Sequence, residues 1–72
     1  MDSNIYRIRI HKCDNPDLWY SKCIGNVFYA GGKTINGVTF FIIVNDKLYK
    51  GKLCSIRDAS VIEQVTKVRL FV

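Results

Sequence analysis

The sequence predicts an all-β protein, a small barrel of five to six short antiparallel strands with one 3₁₀ turn before the last core strand. Three observations carry this. The run Val38-Thr39-Phe40-Phe41-Ile42-Ile43-Val44 is β-branched or aromatic throughout and uncharged; it has the composition of a strand and is too short to cross a membrane as a helix. Ile5–Lys12 alternates apolar and polar residues, as a half-buried strand does. Turn-forming pairs, Asn36-Gly37 and Asn45-Asp46 among them, punctuate the apolar runs at short intervals.

In Ile5–Lys12, Tyr6, Ile8 and Ile10 share the inward face, and Arg7, Arg9 and His11 form a cationic row on the other. Asp14-Asn15-Pro16-Asp17 opens a long irregular stretch, Cys13–Gly25, in which Leu18-Trp19-Tyr20-Ser21 suits a single helical turn with Asp17 near its start. Of the adjacent Trp19 and Tyr20, one is expected to plug the core; the other either stands exposed as an anchor or joins it as a loop staple. Ile24–Ala30 reads as the second strand and Gly31-Gly32-Lys33-Thr34 as a flexible hairpin loop. Its Gly-Lys-Thr lacks the first glycine and the following helix of a phosphate-binding loop.

Asn36-Gly37 is a tight-turn signal leading into Val38–Val44. That strand is apolar on both faces. Val38, Phe40, Ile42 and Val44 lie on one, with Phe40 and Ile42 assigned to the core; Thr39, Phe41 and Ile43 lie on the other, left for a covering loop, a terminal strand or a partner. Lys47–Leu53 is expected to return as a hairpin strand interrupted by Gly51, with Lys47, Lys50 and Lys52 flanking Tyr49. Cys54–Ala59 suits one 3₁₀ turn capped by Ser55; Ser60–Val65 is a further strand. Val68–Val72 alternates once more, so residues 66–72 are expected to extend the domain as a strand that pairs with an existing edge, a partner or a second copy.

All 72 residues are expected to form one domain, which at this size buries only about 60% of the surface of the unfolded chain. The net charge of +5 excludes a nucleic-acid mimic and suits an acidic protein surface or phosphates. No leader-like segment opens the sequence, and Cys13, Cys23 and Cys54 are odd in number with no Cys-x-x-Cys, so reduced thiols in a cytosolic protein are expected.

Tyr49–Glu63 resembles the end of SH3-like barrels, where a Gly-x-Leu strand (Gly51-Lys52-Leu53) enters the 3₁₀ turn and a Val-Ile strand (Val61-Ile62) leaves it. Asp17–Phe28 looks like the loop-to-strand passage of small SH3-like proteins of bacteriophage type. The resemblance spans residues 5–65 and implies an accessory protein acting on a host or viral protein, in the host cytoplasm. Peptide-binding SH3 domains carry aromatic and acidic residues after the first strand and a paired Trp on the third. Phe40-Phe41 and a basic balance stand here instead, so proline-rich ligands are not expected.

No catalytic group stands out: His11 is the lone histidine, and the six carboxylates sit in turns, at ends or on a strand face. His11 with Cys13, Cys23 and Cys54 lacks a zinc-ligand loop, so no metal or cofactor is expected. Two functions remain. The first is a non-enzymatic protein-binding module using Trp19, Tyr20, Phe41, Ile43 and Phe71. The second is a nucleic-acid-binding barrel using Arg7, Arg9, His11, Lys47, Lys50 and Lys52 with Tyr49 as stacking platform.

Overall fold

The structure is a computed structural model and describes residues 4–65. Phe71 and the expected strand Val68–Val72 lie outside the described residues. The described residues form five strands, β1 (Ile5–Ile10), β2 (Val27–Ile35), β3 (Val38–Ile43), β4 (Leu53–Ser55) and β5 (Ala59–Val65). Two 3₁₀ turns, η1 (Trp19–Lys22) and η2 (Ile56–Asp58), interrupt them. The chain is all-β, as the alternation predicts. No helix among the described residues is long and apolar enough to cross a membrane.

The strands form one antiparallel sheet in the order β4-β3-β2-β1-β5. The edge strands β4 and β5 do not pair with each other, so the sheet remains open where a closed barrel was expected. The reason is local. β4 has only three residues before the chain turns into η2, and Trp19 Nε1–H donates to the carbonyl of Leu53 at 2.6 Å. That bond satisfies an edge-strand acceptor that a further strand would otherwise take.

The β2–β3 hairpin fixes the register of the middle of the sheet. Asn36 and Gly37 have φ of 51° and 82°, the positive pair that a two-residue hairpin turn requires, and Ile35 then faces Val38. Gly31–Thr34 therefore belongs to β2, and the expected loop there is not formed. Counting back along the ladder, Phe41 pairs with Gly32 and Ile43 with Ala30. Cross-strand partners share a face, and Ala30 is fully buried, so Phe41 and Ile43 point inward. They are 7% and 1% exposed, while Phe40 and Ile42 are half-buried on the outer face. The assignment of Phe40 and Ile42 to the core is thus reversed.

The inner face carries Ile8 and Ile10 from β1, Phe28 and Ala30 from β2, Phe41 and Ile43 from β3, Cys54 from β4 and Ala59 from β5. The long loop covers it. Tyr20 and Cys23 are buried against this face, and Trp19, Cys13 and Tyr49 pack around them. The smaller outer face holds Ile5, which is buried, with Ile42; a Cβ built on Gly31 would meet both side chains at 3.8–3.9 Å.

Residues 46–51 form turns, not the expected Lys47–Leu53 strand. Asp46 Oδ1 accepts from the amides of Leu48 and Tyr49, its carbonyl accepts from Lys50, and Gly51 has φ of 86°. These local bonds compete with a strand ladder. η2 forms as predicted, with Ser55 Oγ accepting from the Arg57 amide at 3.3 Å. η1 forms without the expected Asp17 cap, because Leu18 holds the cap position and Asn15 Oδ1 engages the Asp17 amide. On β5, Arg7 pairs with Glu63 and Ile8 with Val61, which leaves Ile62 as the extra residue of a bulge. The bulge breaks the regular edge and discourages a further strand from adding there.

Candidate functional site

The aromatic residues form a structural cluster. The Trp19 ring lies 4.7 Å from that of Tyr49, 5.2 Å from Tyr20 and 5.7 Å from Phe28, the last two edge-on. Tyr20 is buried and its hydroxyl donates to Asp58. Burial first, and then that bond, raises its pKa above the ordinary tyrosine value of 10.0. Trp19 is the loop staple of the two alternatives. Tyr20, Phe41 and Ile43 therefore hold the core, and the expectation that they stand at a partner surface is corrected: the long loop covers the face they occupy.

The cationic residues do not converge. Arg7 gives its guanidinium to Glu63 at 2.7 Å, Arg9 is exposed on the outer face, and the exposed His11 follows β1 with its amide bonded to the Asp58 carbonyl. Lys47, Lys50 and Lys52 sit on the β3–β4 connection. Across the sheet, β1 and β4 are three strand spacings apart, about 14 Å. Tyr49 lies between the lysines, but its ring packs on Trp19 and is not an open stacking platform.

Large apolar side chains are exposed at several places, Ile24, Leu48, Val61 and Ile62 among them; one cross-strand pair, Ile35 with Val38, lies on the far half of the β2–β3 hairpin. There β2 runs past the end of β1, and β3 begins before its first β4 partner, Phe40. Register places Thr34 opposite Thr39 on the inner side, their hydroxyls 3.0 Å apart, and Ile35 opposite Val38 on the outer side. Ile35 is 38% exposed and Val38 is 55% exposed, with Phe40 next along the row. At its base, Val38 and Phe40 form one wall of a cleft of about 350 Å³ whose other wall is η2 and the segment after β1, with Lys12, Asp14, Ile56, Arg57 and Asp58.

Neither Arg57 nor the outer row was singled out from the sequence. The row was readable: Asn36-Gly37 sets the pairing of 35 with 38, and the threonines mark the polar side. Arg57 belongs to a cleft made by three separate segments, which no sequence spacing reports. Among the described residues no group of His, Cys, Asp and Glu is placed to hold a metal ion. The buried Cys54 thiol is pushed up to about 11, by burial and then by the negative charge of Asp58, so it is held protonated and unreactive. No protein family, curated protein or solved structure matches this chain.

Proposed function

We propose that the protein is a non-enzymatic binding module that holds a protein partner on the outer row of the β2–β3 hairpin and the cleft at its base. The observation that carries this reading is the exposure of Ile35 and Val38, which face each other beside Phe40 on the outer face of the hairpin. Exposed apolar side chains lining one edge of a cleft are a common feature of protein contact sites. The order β5-β1-β2-β3-β4, the long loop after β1 and the 3₁₀ turn before β5 fit an open relative of the SH3-like plan. In this reading the protein is an accessory factor of bacteriophage type, working in the host cytoplasm on a host or viral protein.

The nucleic-acid reading is second. It keeps Arg9, His11 and the lysines, but loses Arg7 to Glu63 and Tyr49 to Trp19. Affinity capture of the tagged protein from cell extract, with and without nuclease, and beside Val38→Asp, separates the two. A partner protein retained through nuclease treatment and lost with Val38→Asp is expected. Capture that depends on nucleic acid, or that Val38→Asp leaves unchanged, would overturn the reading.

A further inference from the structure

We infer that the turn joining β3 to β4 docks on an anionic lipid surface, with Leu48 entering the interface and Lys47, Lys50 and Lys52 over the headgroups. The turn divides its side chains. Asp46 Oδ1 accepts from the amides of Leu48 and Tyr49, and the Asp46 carbonyl accepts from the Lys50 amide, which closes one ordered turn. From it Tyr49 faces the core, its ring against Trp19. Its neighbour Leu48 is 78% exposed, more than any other large apolar side chain among the described residues. A leucine exposed alone needs no explanation. This one stands among three exposed lysines, none of which pairs with a carboxylate among the described residues. The acid within the turn, Asp46, is engaged by the two amides.

The neighbouring segment extends the patch. β1 ends, β2 begins and β3 ends on one side of the sheet, opposite the Asn36-Gly37 turn. There the Gly25 amide donates to the Ile10 carbonyl and the Ile10 amide to the Asn26 carbonyl, which ties the segment before β2 to the end of β1. That segment carries Ile24, which is 53% exposed, close after the exposed Lys22. The kind of exposed group decides between anionic partners. Single-stranded nucleic acid needs open aromatic faces for its bases, and the turn's aromatic ring is held against Trp19. Aliphatic side chains beside lysines suit a lipid interface, where the alkyl group enters below the headgroups and each lysine gains from the negative surface potential. The hairpin row, at the other end of the sheet, stays free.

The test is co-sedimentation with sucrose-loaded vesicles of phosphatidylcholine, with and without one part in three of phosphatidylglycerol. Partition into the anionic vesicles alone is expected, weakening as salt is added. Each lysine lost near such a surface lowers partition about fivefold, so Lys47→Gln with Lys50→Gln lowers it about 25-fold. Lys33→Gln with Arg57→Gln removes the same charge near the hairpin and leaves partition within about twofold. Leu48→Gln lowers it about fivefold or more. The substituted side chains are all exposed, so an unchanged urea midpoint reports an intact fold. Equal partition into neutral vesicles, no partition, an equal loss in the Lys33 and Arg57 pair, or partition that Leu48→Gln leaves unchanged overturns the inference. A single-stranded oligonucleotide bound through the same lysines more tightly than the vesicles also overturns it and assigns the turn to nucleic acid. Val38→Asp is expected to leave vesicle partition unchanged, so this inference and the hairpin reading fail separately.

Discussion

Replacing Phe41 and Phe40 in turn by alanine asks which face of β3 the protein folds around. Phe41 is 7% exposed, opposite Cys54 and within the core cluster, and truncating such a ring costs about 3–5 kcal/mol. A domain of this length has roughly 4–11 kcal/mol of stability in all. Phe41→Ala should therefore be largely unfolded, or lower Tm by at least about 12 °C at the scale of 4 °C or more per kcal/mol that applies to small domains. Phe40 is half-buried between Lys33 and Ser55 on the outer face, where truncation leaves no enclosed cavity, so about half of the roughly 1.5–3 kcal/mol transfer worth of a buried side chain is at stake, about 1 kcal/mol, or roughly 4–8 °C. Thermal and urea unfolding followed by the fluorescence of Trp19, the single tryptophan, reads both. Phe40→Ala proving as damaging as Phe41→Ala would refute the register and the face assignment built on it.

Further outcomes follow from particular contacts. Tyr20→Phe removes the donor to the Asp58 carboxylate and should cost about 1.5–3 kcal/mol in urea unfolding at neutral pH, whereas Arg7→Ala, which breaks a partly exposed pair with Glu63, should cost about 1 kcal/mol or less. Gly37→Ala forces a side chain into a backbone at φ 82° and should cost about 1–2 kcal/mol, with no change in partner capture if the register is kept. Alkaline pH should destabilise the fold. Cys54 and Tyr20 both have raised pKa values, so the unfolded chain ionises first, and stability is fully present below about pH 9 and falls as pH rises past it. The loss is at most about 1.4 kcal/mol per pH unit for each group. A denaturation midpoint that stays flat from pH 8 to 10.5 in the wild type, or one whose alkaline fall is unchanged in Cys54→Ala, would contradict this assignment.

How much of this was legible in the sequence depends on where the deciding interaction sits. β1, η2 and the irregular loop were readable because alternation, the Ser55 cap and the Asp-Asn-Pro-Asp turn are local signals. The faces of β3 were not, because a run apolar on both sides has no alternation of its own; Ala30 and Cys54 across the ladder decide it. The β3–β4 connection was misread because the Asp46 side chain organises a turn through bonds that composition does not reveal. One of Trp19 and Tyr20 was expected to plug the core and Tyr20 does, but both were also assigned to a partner surface, and adjacency in the chain could not tell which of them the core takes. Tyr20 fills it, and Trp19 spends its indole on the exposed carbonyl of β4. The basic residues looked like one surface in the sequence, but the sheet order separates β1 from the β3–β4 connection.

The most direct test of the binding surface is amide hydrogen exchange of the protein, free and in complex with its captured partner. Slowed exchange at Lys33–Phe40 and at residues 55–58, with Arg7–Arg9 and the lysine-bearing turns unchanged, is the result predicted for a partner seated on the hairpin row and its cleft. Protection confined to β1 and β5, or to residues 46–52, with the hairpin exchanging as in the free protein, would contradict it.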